Sequence, residues 1–329
     1  MAAALLVFVW SAAVAWKVPA VLTRLTRGGG SARLGIAVWL IAMVSVLASG
    51  GIALAFLIRT AVTGWSHVAR VICRSVAGGA CTPVIYRSAL FEIGIGVAAV
   101  LASAAVGVLA WRYGRRLQIA QRQTRAHAEI ARLTGRRLSG SGTAGPGTAG
   151  PGTARPDAVV LDVPQLAAYC VPPGIIVVTS GALSILAPAQ LTAVLAHERA
   201  HLAGRHHLLL ALTRGLAAVF PGVPVFARGQ GEVARLAEMR ADDAAAERAG
   251  RRPLIEALLA MGTGTAVTPM MAYPATALAA AGYAVAARVE RLLDPPRRAS
   301  QVRCALALGS VLVLLPLLSV LVALAVSGW

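Results

Sequence analysis

The sequence predicts a mainly α-helical membrane protein: four transmembrane helices, with a cytoplasmic α+β domain inserted between the third and the fourth. Composition is the first ground. With 57% hydrophobic residues and a mean hydropathy of +0.72, the chain is too apolar for an ordinary soluble domain. The second is the distribution of those residues. They gather into runs at about 2–22, 34–58, 89–111 and 304–326, each long enough to cross about 30 Å of hydrocarbon. The third is the interval 157–303, where the long apolar runs give way to short β-like runs and a motif of histidines and acids.

That motif is Ala193-Val194-Leu195-Ala196-His197-Glu198-Arg199-Ala200-His201. On a helix, positions i and i+4 share a face, so His197 and His201 can turn imidazole nitrogens to one Zn²⁺. Glu198, one step along, can hold a water and take its proton as that water attacks a carbonyl. A catalytic zinc needs a third protein ligand, and the candidate is Glu238, in Leu236-Ala237-Glu238-Met239-Arg240-Ala241-Asp242-Asp243. Asp242 lies one turn further on the same face, where it can accept a hydrogen bond from a ligating histidine; Asp243 is its substitute.

These residues carry a resemblance. The run Ile176-Val177-Val178-Thr179-Ser180-Gly181-Ala182-Leu183, the His197 to His201 motif and Glu238-x-x-x-Asp242 together resemble the gluzincin (zincin-like) membrane proteases. Nearest are the BlaR/MecR-type antirepressor metallopeptidases in a short form, and more distantly the HtpX-like proteases. The resemblance implies one zinc per chain, a zinc-dependent metalloendopeptidase activity, and a cytosolic protein substrate such as a BlaI/MecI-type winged-helix repressor or the chain itself. It also implies a small sheet with one exposed edge ahead of the metal helix, to which an extended substrate adds. Ile175–Thr179 is the candidate for that edge, with a covered core strand as the alternative. No Ser-x-x-Lys motif or penicillin-binding domain follows the last span, so direct β-lactam sensing is not expected. The alternatives are an HtpX-like quality-control protease and a membrane signalling scaffold without activity. A site-2-type intramembrane protease is disfavoured, because Arg199, Arg205, His206 and His207 make the motif helix too polar for a bilayer core.

In chain order, residues 1–111 form the membrane region. No basic segment precedes the first run, and Arg24, Arg27 and Arg33 follow it, so it reads as an anchor with an external N-terminus. Residues 59–88 read as a polar external loop in which Cys73 and Cys81 can pair. Arg112, Arg115, Arg116, Arg122 and Arg125 mark the cytoplasmic end of the third run, and 115–137 can continue it as a polar helix on which His127 and Glu129 face solvent. The segment 112–156 closes with a Gly-Thr-Ala-Gly-Pro repeat over 142–156, too poor in apolar residues to fold against a core.

In the 157–303 domain, 158–163 and 175–179 read as strands, and Cys170 as a small buried side chain. His206 and His207 are placed at the membrane surface. The apolar stretch 208–226 cannot be a crossing, since that would carry Glu238 away from His197, so it reads as an interfacial or re-entrant helix. Helices are expected over 230–249, 254–261 and 275–293, with a loop over 262–274. Arg288 and Arg291 read as surface ion pairs, with contacts to the active-site acids as the alternative.

The charge balance is +18, from 31 basic and 13 acidic residues. The basic residues cluster beside the apolar runs, which reads as topology determination and contact with anionic lipid heads. No nucleic-acid recognition motif accompanies them, so no direct nucleic-acid binding is expected. Four cysteines are too few for a disulfide scaffold. The expected location is the cell membrane, multi-pass, with the protease domain cytoplasmic and the bilayer as a partner; a homodimer is compatible with this reading.

Overall fold

The computed structural model describes residues 2–27, 31–76, 83–138, 157–172, 174–263, 285–296 and 298–327. Three long helices come first: α1 (Ala2–Thr26), α2 (Ala32–Val76) and α3 (Pro83–Thr134). A sheet follows, made of β1 (Arg136–Arg137), β2 (Asp157–Leu161), β3 (Ala168–Val171) and β4 (Ile175–Thr179). The chain then runs through α4 (Ser180–Ile185), α5 (Pro188–Ala203), α6 (His206–Val219), α7 (Pro224–Ala249) and α8 (Arg251–Thr263). Helical residues 285–293 form α9, and Arg298–Ser327 form α10.

Two of these helices are long and apolar enough to cross a membrane, over Ala32–Arg74 and Ala89–Thr134, with window hydropathies of 2.4 and 2.3. Both outrun a bilayer. The 45 residues of α2 extend about 68 Å at the usual rise, more than twice the hydrocarbon thickness. Residues 59–76 and 83–88, expected as an external loop, are therefore helical. Beyond residue 58 no proline and only Gly64 interrupts α2, so nothing in the backbone stops it. Cys81 lies outside the described residues, and so does its pairing with Cys73. The repeat 142–156, most of the expected 262–274 loop and residues 275–284 also lie outside them.

The polar continuation of α3 is present to Thr134, where Gly135 ends it. Arg136 and Arg137, expected as its last residues, instead pair with Val160 and Val159. The sheet order is β1-β2-β4-β3, with β4 parallel to β2 and antiparallel to β3. Ile175–Thr179 is thus an interior strand, and the candidate edge is corrected to β3. The cause is visible in the side chains, since all five residues of β4 are buried. Ile176 and Val178 pack with Val194 and Leu195 of α5, while Ile175 and Val177 pack with Ala128 and Ala131 of α3. A strand covered on both faces reads as the continuous apolar run seen here.

The α7 helix, expected over 230–249, starts at Pro224 and packs on the long helices. Val225, Phe226, Val233 and Leu236 share one apolar cluster with Leu22 of α1, Trp39 and Met43 of α2, and Leu308 of α10. Gly229 allows this approach: a Cβ there would strike the Met43 side chain and stand 3.1 Å from the Trp39 ring. The stretch 208–226 resolves into α6, a turn at Pro221-Gly222 and the first residues of α7, with Leu216 and Ala217 in the same cluster.

Gly181, just after β4, donates its N–H to Val163 O, and a Cβ on it would strike the Pro164 carbonyl, which is backbone and cannot step aside. Gly181→Ala is expected to lower stability by about 1–3 kcal/mol. Gly50→Ala, at a position where a Cβ meets nothing within 4 Å, is expected to leave it level or slightly higher. Thermal unfolding of the detergent-solubilised protein compares the two.

Candidate metal centre

The motif helix is fixed at its start by Pro188 in its first turn and by Gln190 Oε1, which accepts the Ala187 N–H at 3.0 Å. Its contact with α7 is built from small residues. Ala193, Ala196 and Ala200 on α5, and Ala237, Ala241 and Ala245 on α7, are all buried. Alanine at such a crossing lets two helices approach until polar side chains from each meet.

His197 and His201 meet Glu238 at that crossing. The two Nε2 atoms are 3.0 Å apart, and each is 3.4 Å from a Glu238 carboxylate oxygen. A tetrahedral zinc with bonds of 2.0–2.1 Å sets its ligand atoms about 3.3 Å apart, so this donor set fits one. The outer nitrogens are also engaged. Asp242 Oδ1 lies 3.0 Å from His197 Nδ1, and His206 Nδ1 lies 2.9 Å from His201 Nδ1. A neutral His206 whose Nδ1 accepts a hydrogen bond from His201 Nδ1–H leaves His201 Nε2 bare for a metal. Asp243 is turned away, bridged by both Nη atoms of Arg291 at 2.8 and 2.9 Å.

Four expectations are corrected here. His206 is buried against His201 and does not lie at a membrane surface. The turn after α5 puts it there: Arg205 adopts a left-handed φ of 48°, and Gly204 leaves space that a Cβ would take from the His206 ring. Arg288, read as a surface ion pair, donates from Nε and Nη2 to Asp242 at 2.8 and 2.6 Å, and its Nη1 lies 3.2 Å from Glu238. His127, read as solvated, has its Nε2 2.9 Å from the Tyr169 hydroxyl of β3. Cys170, read as a small buried side chain, is half-buried and lines the cleft with Glu198. A sequence signal existed for His206, the pairing of Gly204 with a histidine two residues on. None existed for Arg288, which comes from a separate helix.

Residues 148–276 match the family model of peptidase family M48. Over that stretch, less than half of the chain, the sequence is similar to the M48 peptidases. Such peptidases are zinc-dependent metalloproteases, so the match and the His197, His201, Glu238 group agree on a metalloprotease hydrolase. No curated protein and no solved structure matches the chain. The matched stretch holds the motif helix, Glu238 and Asp242, and ends before Arg288.

The electrostatics of this centre follow from burial opposed by pairing. Burial works against the His197 imidazolium, but Asp242 and Glu238 outweigh it and raise the group to about 9. Burial also works against the Glu238 carboxylate, yet the two histidines and Arg288 hold it well below the usual range. Asp242 behaves likewise, held down by Arg288 and His197 against its burial. Glu198 goes the other way: burial raises it, against the pull of His197 and His201. Burial and the neighbouring His201 lower His206 to about 4, which keeps it the neutral acceptor its geometry requires. Burial and the Glu198 charge push the Cys170 thiol up to about 12.

The residues outside the donor set are expected to govern metal affinity. Asp242→Ala and His206→Ala should each weaken zinc binding by about 10–100-fold, while Asp243→Ala leaves it unchanged, measured by competition with a chromophoric chelator. A thiol whose pKa is raised stays neutral until high pH, so iodoacetamide labelling of Cys170 in chelator-treated protein should be very slow at pH 8. It should climb about tenfold per pH unit up to about 12, followed by mass spectrometry.

Proposed function

We propose that the chain is a membrane-embedded zinc metalloendopeptidase in which His197, His201 and Glu238 hold the zinc. The convergence of those three donors beside Glu198 carries the reading. Zinc, when bound, supplies Lewis-acid polarisation of the scissile carbonyl and of the attacking water. Glu198 takes the proton from that water and passes it to the leaving amine. Its raised pKa suits a group that must hold a proton between those two acts. Asp242 fixes the orientation of His197, and Arg288 fixes Asp242.

The cleft has a volume of about 450 Å³, and Ala168, Tyr169 and Cys170 of β3 line one side of it. Among the described residues β3 pairs only with β4, so its outer edge can take an extended polypeptide as a further strand, laying a peptide bond across Glu198. Val194, Leu254, Ala257 and Met261 give the opposite side an apolar character suited to a hydrophobic substrate residue.

The topology that goes with this reading has four spans, at α1, α2, α3 and α10, with both termini outside and the protease domain in the cytosol. The substrate is a cytosolic protein, a BlaI/MecI-type repressor or the chain itself, and the role is signal transduction.

Glu198→Gln is expected to keep about one zinc per chain and to lose at least about a thousandfold in cleavage rate. Metal analysis beside a peptide-cleavage assay reads both quantities. Cleavage at the wild-type rate by the zinc-loaded variant would remove the mechanism. In cells, a repressor that stays intact in the variant supports the signalling role, and accumulation of damaged membrane proteins supports an HtpX-like role.

A further inference from the structure

We propose that the junction of α1 and α7 is a binding site for a phosphate group. On the last two turns of α1, Ala20, Arg24 and Arg27 fall on one face. Ala227, Arg228 and Gly231 at the start of α7 oppose them, and the two helices enclose a groove of about 540 Å³. Its floor is small residues, and a Cβ at Gly231 would meet nothing within 4 Å, so there is room for a bulky group to reach the bottom. Its basic lining is Arg24, Arg27 and Arg228.

One carboxylate stands among three arginines. Glu232, the one acid in the wall, is paired with Arg235: its Oε2 accepts from Arg235 Nη2 at 2.8 Å and Nε at 3.2 Å, and from the Thr26 hydroxyl at 3.3 Å. Arg235 in turn donates to the Thr26 carbonyl at 3.0 Å, closing the end of α1. Among the described residues no carboxylate pairs with Arg24, Arg27 or Arg228. Three exposed arginines lining one groove from two helices suit a tetrahedral oxyanion with several acceptor oxygens better than a single carboxylate.

The groove stands apart from the metal centre. Gly231 precedes Glu238 by seven residues, about 10 Å along the helix. A phosphate held here joins α1 to the helix that carries Glu238 and Asp242. Two sources supply that chemistry: the headgroup of an anionic phospholipid, since the groove follows directly on the apolar run of α1, or soluble phosphate.

The test is thermal unfolding of the full chain in neutral detergent, titrated with inorganic phosphate, with short-chain phosphatidic acid, and with diacylglycerol of the same chains. Phosphate or phosphatidic acid, and not diacylglycerol, should raise the unfolding temperature. Equal action by both ligands assigns the site to soluble phosphate, and action by phosphatidic acid alone assigns it to the lipid. Arg24→Gln/Arg27→Gln/Arg228→Gln should abolish the response, each single replacement raising the half-saturating concentration about tenfold. Arg122→Gln/Arg125→Gln/Arg132→Gln, with the same change in net charge on α3, should keep it. If the first triple variant does not fold, Gly231→Leu fills the floor at constant charge and should lose the response. No stabilisation by either ligand, or a response that survives Gly231→Leu or disappears in the α3 control, overturns the proposal.

Discussion

Two helices from different parts of the chain must come close enough for short side chains on each to share one point in space, and the alanines between α5 and α7 make that possible. Ala193, Ala196 and Ala200 on one helix, with Ala237, Ala241 and Ala245 on the other, place nothing larger than a methyl group at the crossing. Leucine at any of them would push the helices apart by an amount comparable with a metal–ligand bond. The 3.0 and 3.4 Å spacings of His197, His201 and Glu238 are therefore a property of the interface as much as of the motif. The neighbours reinforce it. The sheet presses on α5 through Val194 and Leu195, and Leu254 of α8 and Leu292 of α9 close over Ala193, Ala196 and Ala245.

Charge makes the same demand on the fold. Glu198 and Asp242 are buried beside the half-exposed Glu238, and an isolated carboxylate at either buried position would cost several kcal/mol. The arrangement answers with a dication site and with Arg288, so that three carboxylates balance one zinc and one guanidinium. Arg288 gives two hydrogen bonds to Asp242, which is 1% exposed, and an ion pair to Glu238. This explains why α9 belongs to the site although it lies far along the chain. It also separates the two adjacent aspartates: Asp242 serves His197 and Arg288, whereas Asp243, one helical step round, meets Arg291.

Local spacing made the donor set legible in the sequence. His197, His201, Glu238 and Asp242 are i, i+4 pairs on two helices, and that periodicity survives whatever the tertiary structure does. What depends on a chain reversal or on an unrelated element was legible only as a local hint or an alternative. His206 reaches His201 only through the left-handed turn at Arg205, Arg288 arrives on α9, and His127 finds Tyr169 only once α3 lies beneath the sheet. The β4 error has a similar cause. An apolar run of five residues marks a strand, but its place in the sheet is set by pairings with residues before and after it. The long helices failed differently, since hydropathy marks where the apolar part of a helix stops and not where the helix itself does.

That last distinction bears on how the two halves of the molecule are joined. The third long helix does not end at its apolar stretch. It continues for more than twenty residues and touches the 157–303 domain along one face, where Tyr113 and His127 stand fourteen residues or about four turns apart. At the first, the Tyr113 ring lies against Gly215 of α6; at the second, His127 meets Tyr169 beside the cleft. Immediately after α3, Arg136 and Arg137 enter the sheet. The Gly-Thr-Ala-Pro repeat comes only after that strand, so it is not the joint between the long helices and the site. The helix therefore reaches β3, the strand that lines the cleft next to Glu198, without a linker between them. With α7 packed on α1 and α2, the helix that carries Glu238 and the strand that lines the cleft are both in contact with the long helices.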